Sequence, residues 1–275
     1  MPTYKGNRGN LLQHWALAEL ATLLQQECTA RHRLCFVDAH AMSPYATRDS
    51  KPGQTADDFD RVRDRLPGQS STYEVAWHSL RGPRCEYPSS AALLRELWQG
   101  KLHLLLCEAD ASTASEIADW LDTLSPATTS DLHRGDWRDR FCQGIPAEYD
   151  AYLVSLDPYM FDRNGPSASP NHGNMWPIDL IRACAALIEL PRHPALVQLS
   201  TYSANNRNSR NDVIKVIEPV LRAAGFALGA IVPADGNMMS LVFSRDVSHS
   251  AVSKVSKLPD RFSKWLKRTR ESQPA

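Results

Sequence analysis

At 275 residues the chain has the length of one large domain or two small ones. Hydrophobic residues make up 43% and charged residues 23%, ordinary values for a globular protein, and the basic and acidic residues cancel. That balance argues against a wholly basic binding surface. No apolar run reaches the roughly 18 residues that cross a bilayer. The opening residues MPTYKGNRGN hold no apolar signal core, so a cytoplasmic location and no membrane partner are expected. The cysteines (Cys28, Cys35, Cys85, Cys107, Cys142, Cys184) are scattered, with no C-x-x-C pair. They read as small hydrophobes in a reducing compartment, and no metal site is expected.

In chain order, residues 10–29 predict a helix with a broad apolar face, capped by Asn7 or Asn10. Leu34–Val37 is a short continuous apolar run ending in Asp38, as expected of a strand buried on both faces. Residues 47–90 are rich in proline, glycine and charge and predict an irregular, helical insertion. Regular alternation follows. Helices are expected at 90–99, 115–124, 137–142, 178–190 and 211–225. Strands are expected at 102–110, 130–133, 149–161 and 195–203, with a loop at 163–175. Residues 227–232 and 239–244 flank Ala234-Asp235-Gly236-Asn237 and read as an antiparallel hairpin. Residues 247–275 carry seven bases against Asp260 and Glu271. They predict a basic amphipathic helical tail after a domain spanning 1–246. Its apolar face, Phe262, Trp265 and Leu266, docks on the domain or on a protein partner.

Alternating strands and helices imply a mostly parallel sheet, which binds ligands beyond the carboxyl ends of its strands. Asp38, Glu108 and Asp157 end three strands, and Asp136 stands just after a fourth. Acids in series along one edge point to a polar ligand rather than to incidental solvated residues.

This order resembles the class I S-adenosylmethionine-dependent methyltransferases, whose parallel seven-stranded sheet closes with an antiparallel hairpin. Within them it is most similar to the bacterial large-subunit ribosomal RNA adenine-N6 methyltransferases. That family opens with Gly-Asn and a Lys-His on the first helix, matched here by Gly6-Asn7 and Gln13-His14. Its Asp-x-His-Ala-Gly-x-Gly loop is matched by Asp38-Ala39-His40-Ala41-Met42-Ser43-Pro44. Its Tyr-Pro-Gly-Ser-Pro segment is matched by Tyr87-Pro88-Ser89-Ser90, and its catalytic Asp-Pro-Pro-Tyr by Asp157-Pro158-Tyr159-Met160. The resemblance spans roughly residues 6–245.

The resemblance implies an S-adenosyl-L-methionine cofactor held around Asn7, His14, Asp38, His40, Met42, Glu108 and Asp136. Glu108 takes the ribose hydroxyls and Asp136 the adenine amine. It implies catalysis by Asp157, Pro158 and Tyr159: the carboxylate and a carbonyl accept from a target amine while an aromatic ring stacks on the flipped base. With the second proline missing, Tyr159, Phe161 or neither supplies that ring. Tyr202, Asn205, Asn206, Arg207 and Arg210 line a nucleic-acid groove or are ordinary loop residues. The substrate implied is RNA or DNA, RNA being favoured. Met42 and Pro44 stand where the family has glycines that admit the cofactor. Two main readings follow: an active adenine methyltransferase, or a degenerate methyltransferase fold kept as a binding or scaffold subunit. A third is a related enzyme acting on another nucleophile.

Overall fold

The computed structural model describes residues 3–4, 8–28, 32–48, 71–80, 87–158, 160–162, 174–202, 210–234 and 238–271. Asn7, Cys85, Tyr159, Asn205, Asn206, Arg207 and the turn 235–237 lie outside them, as does most of the 47–90 insertion.

The main sheet is assembled from β2 (Arg33–Asp38), β5 (Lys101–Glu108), β6 (Thr128–Arg134), β7 (Ala151–Leu156), β10 (Ala195–Tyr202), β11 (Ala227–Pro233) and β12 (Met238–Arg245). Their order is β11-β12-β10-β7-β2-β5-β6. The strands from β10 to β6 run parallel, and β12 lies antiparallel between β10 and β11. The strands β8 (Met160–Phe161) and β9 (Asn174–Met175) extend this sheet beside the end of β10. The central strands are buried along almost their whole length, which is why their sequences read as largely apolar runs. A small second sheet, unforeseen from sequence, joins β1 (Thr3–Tyr4), β3 (Tyr45–Arg48) and β4 (Tyr87–Pro88).

Two cores lie on the two faces of the sheet. One packs α1 (Arg8–Glu27), α2 (Thr72–Leu80), α3 (Ser90–Leu97) and the C-terminal helices α8 (His249–Ser256) and α9 (Leu258–Glu271). Leu11, Leu12, Trp15, Ala16, Leu17 and Leu20 are all buried because α1 is covered by the sheet on one side and by α2, α3 and α9 on the other. The apolar face of the basic tail therefore docks on its own domain. Phe262 and Trp265 pack against Trp15, the Trp265 indole donates to Glu74, and Arg261 pairs with the buried Glu19. Asn10 lies inside α1 and does not cap it.

The other core packs α5 (Trp137–Cys142), α6 (Pro177–Ile188) and α7 (Arg210–Ala223). Arg245 ties two of these helices together. Its buried guanidinium donates to the carbonyls of Leu187 and Ala224, at the C-terminal ends of α6 and α7, and stacks on Phe226. At the end of α7, Gly225 takes φ +84 and its N–H reaches Arg222, while Phe226 N–H reaches Leu221. That left-handed turn delivers the chain into β11 at little cost because glycine has no Cβ. The remaining helix, α4 (Ala111–Leu121), starts four residues earlier than the sequence suggested, because Asp110 caps it by accepting from Thr113 N–H at 2.8 Å. Cys28, Cys35, Cys107 and Cys184 are buried free thiols, while Cys142 is exposed.

Candidate functional site

Register fixes how the strand-end acids fan out. Asp38 lies beside Leu106 of β5 and Ser155 of β7. Glu108 and Asp157 therefore each stand two residues beyond it on the flanking strands. All three emerge at the carboxyl edge of the sheet, where a parallel sheet leaves its ligand crevice.

The chain leaving β2 is pinned across that edge. Ala39 N–H donates to Ser155 of β7 at 3.1 Å, and Ala41 N–H donates to Cys107 of β5 at 2.9 Å. His40, between them, donates its backbone N–H to Asp38 Oδ1 at 3.1 Å. Its Nδ1 accepts the backbone N–H of Asp157 at 3.2 Å, so the ring is neutral with its proton on Nε2. Burial lowers the His40 pKa to about 3, which keeps it so. Trp137 covers the ring at 5.7 Å, and Nε2 is buried without a protein partner among the described residues. The Asp157-Pro158 turn is thus seated on a histidine that the sequence marked only as a cofactor contact.

Burial also pushes the Asp38 and Asp157 carboxyls up to about 7. Glu108 raises Asp38 further, and Asp38 raises Asp157 further. The opposing influence on Asp157 is a hydrogen bond from the side chain of Gln13, buried on α1. No described cation balances Asp38 or Asp157. Glu108, half-buried, is raised by desolvation, and one of its oxygens accepts from Asp110 N–H at 2.7 Å. This donor-poor set of carboxylates suits a ligand that brings its own hydroxyls, amine and positive charge. That is the chemistry of S-adenosylmethionine, and on that ground these residues fit it.

Asp136 has a different surrounding. It caps α5 by accepting from Arg138 N–H at 2.9 Å, and both its oxygens accept from Arg138 Nη1, at 3.0 and 2.8 Å. The same guanidinium pairs through Nε with the buried Asp179 of α6 at 2.9 Å and donates to Asn174 of β9. It lies between the rings of Trp137 and Trp176. Arg138 thus ties the start of α5 to β9 and the first turn of α6. Nothing local in the sequence pairs Arg138 with Asp179.

His14 is fully buried, stacks on Tyr87 at 5.0 Å and bonds Ser90 Oγ at 3.2 Å. Burial holds its pKa at about 3. It braces the start of α3. Met42 packs, partly buried, on the core around α1. Ser43 donates to Glu116 of α4 at 2.6 Å, and Pro44 accepts from the capping residue Ser89 at 2.9 Å. The loop therefore passes into β3. Phe161 is buried in the core and its N–H donates to Thr201, so it cannot stack on a base. Arg210 donates to the carbonyl of Ala234 at 2.9 Å.

A parallel sheet of this strand order, closed by an antiparallel hairpin and bearing acids at successive strand ends, is the α/β Rossmann-like fold of the class I methyltransferases. The chain is similar over most of its length to protein LPL1258 from Legionella pneumophila. Identity is 12%, 96% of this chain and 94% of that one are covered, and the TM-score is 0.62. At that identity the likeness shows a shared fold. Aeropyrum pernix fibrillarin, solved with bound S-adenosyl-L-methionine, matches at 10% identity over 84% of this chain and 76% of that one. Its TM-score of 0.41 is too low to bear on function. No family model and no curated protein match the sequence.

Proposed function

We propose that this protein is an S-adenosylmethionine-dependent methyltransferase that methylates an adenine amine of nucleic acid, RNA in preference to DNA. The observation that carries the reading is Asp157. It stands at the end of β7 with its side chain held by Gln13 and its backbone N–H held by His40.

When bound, the cofactor supplies an electrophilic methyl group. Asp38 and Glu108 accept from cofactor donors, Glu108 from the ribose hydroxyls. Asp136 keeps lone pairs for the adenine edge while it caps α5. Asp157 and the carbonyl of Pro158 accept the two N–H groups of the target amine, which turns its lone pair out of conjugation and toward the methyl carbon. Tyr159 stacks on the flipped base. Asn7, Met42 and His14 complete the cofactor side of this reading, His14 by bracing α3. The exposed bases of α9 add salt-sensitive contacts to phosphates.

The test is transfer of labelled methyl from S-adenosylmethionine to ribosomal RNA, to DNA and to free nucleosides, for the parent and for Asp157→Ala. The reading requires transfer to RNA that the variant loses. The second reading, a binding or scaffold subunit, is favoured by Met42 packed on the core and Pro44 bonded to Ser89, the two positions where the family has glycine. RNA binding without cofactor binding at millimolar concentration selects it.

A further inference from the structure

Helix α6 has apolar residues on both faces. It buries Leu180, Ala183, Cys184 and Leu187 against the sheet. Its outer face carries Ile178, Ile181, Ala185 and Ile188, a stripe at alternating spacings of three and four. The three isoleucines are 49%, 51% and 53% exposed, and among the described residues only Val75 and Val252 are other exposed large hydrophobics. A helix apolar on both faces is at home where both faces are covered. Beside this ridge runs a groove of about 410 Å³, lined by Ile181, Cys184, Ala185 and Ile188 from α6 and by Pro219 and Val220 from α7.

We propose that this face is the interface of a two-fold homodimer in which α6 packs antiparallel against α6 of a second copy. A two-fold contact requires a patch that complements itself, and here ridge and groove lie side by side on one patch. The residue order supplies the axis. Ile181 and Ile188 lie either side of Ala185, whose small side chain lets two helices approach closely. An axis beside Ala185 sets Ile181 of one copy against Ile188 of the other. With a rise of 1.5 Å per residue, the same axis brings Arg182 of one copy to within about 3 Å, along the helix, of the level of Glu189 in the other. Both side chains are exposed on the rim of the stripe. Arg182 also reaches the buried Asp179 of its own helix at 3.6 Å, while its own side chain stays half-exposed and able to bridge outward. The charges on the rim thus complement those of an identical copy, and each pair occurs twice.

Sedimentation velocity of the full chain, across micromolar concentrations and without nucleic acid or cofactor, tests this independently of the methyltransferase reading. The expected result is a species of twice the chain mass that Ile181→Glu/Ile188→Glu converts to monomer. Arg182→Glu or Glu189→Arg alone sets like charges opposite each other twice and weakens association about ten-fold, and the double exchange restores it. These positions are exposed, and far-ultraviolet dichroism and melting confirm that each variant folds. A monomeric parent at 100 micromolar overturns the proposal and leaves the patch to another protein. A dimer indifferent to the isoleucine changes, or a double exchange that restores nothing, overturns it equally.

Discussion

Two groups of acids stand along one edge of the same sheet and are treated in opposite ways. Asp136 and Asp179 share the guanidinium of Arg138, with backbone donors and two indole rings closing round it. For Asp38 and Asp157 the loss of water dominates, followed by Glu108 acting on Asp38 and Asp38 acting on Asp157, with the neutral groups of Gln13 and His40 as their hydrogen-bond donors and backbone supports. The first group spends its charge on architecture, fixing α5 to α6. The second is held against a desolvation penalty that only a proton or a ligand can relieve. Built structure and ligand-ready structure are thus separated within one edge by where the arginine sits.

Removing the cation from the first group has the largest expected effect. Arg138→Ala strips the buried Asp179 of its close ion pair and leaves it only the longer contact to Arg182 at 3.6 Å, so urea unfolding at neutral pH should show a loss of about 3 kcal/mol. A loss under about 1 kcal/mol would mean the clamp is not structural. Asp157→Ala should do the reverse. Methyl transfer should fall by about 100-fold or more, as when a transition-state contact is deleted, while stability above pH 7 holds or rises because a buried charge is gone.

The pH dependence sharpens the contrast. A carboxyl whose pKa is raised from 3.8 to about 7 on folding binds its proton more tightly in the folded state. Its contribution is complete below about pH 4, is lost as pH rises to 7, and is flat beyond. The stability of the parent relative to Asp157→Asn should therefore decline across that window in urea titrations. His40, lowered from 6.5 to about 3, works in the opposite sense: its contribution is present above pH 6.5 and lost as pH falls toward 3. The smallest effect is expected of Gln13→Lys, which sets a cation beside Asp157. It should lower the Asp157 pKa, read by carboxyl NMR, and flatten the decline between pH 4 and 7. An unchanged pKa would separate Gln13 from Asp157.

Most of the fold was legible because its signals are local. Leu34–Val37 is a continuous apolar run, Leu102–Cys107 and Tyr152–Leu156 are apolar runs broken only by His103 and Ser155, and an acid at the end of each strand marks the carboxyl edge of the sheet. The hairpin and the parallel alternation follow from short-range pattern as well. What escaped is built from contacts distant in sequence or from elements too short to show a period. The β1-β3-β4 sheet has strands of two to four residues. His40 under Asp157, and Arg138 between Asp136 and Asp179, each join residues brought together only by the sheet order. His14 was a candidate through the resemblance and Phe161 through the missing second proline, and neither route carries depth of burial. Burial places one behind α3 and the other in the core. The C-terminal helices were foreseen as a tail because their bases dominate the composition. Yet Val255, Leu258, Phe262 and Trp265 belong to the same core as α1.

The central claim, that Asp38 and Asp157 hold uncompensated charge for a cationic cofactor, is tested most directly by calorimetry of S-adenosylmethionine binding at pH 6.5 in buffers of different ionisation enthalpy. The account predicts binding with net release of protons, as carboxyls of pKa about 7 ionise beside the ligand. It predicts a smaller release with S-adenosylhomocysteine, which lacks the sulfonium charge, and the loss of that release in an Asp38→Asn/Asp157→Asn variant. No binding at millimolar concentration, or binding whose proton count the variant leaves unchanged, would contradict it.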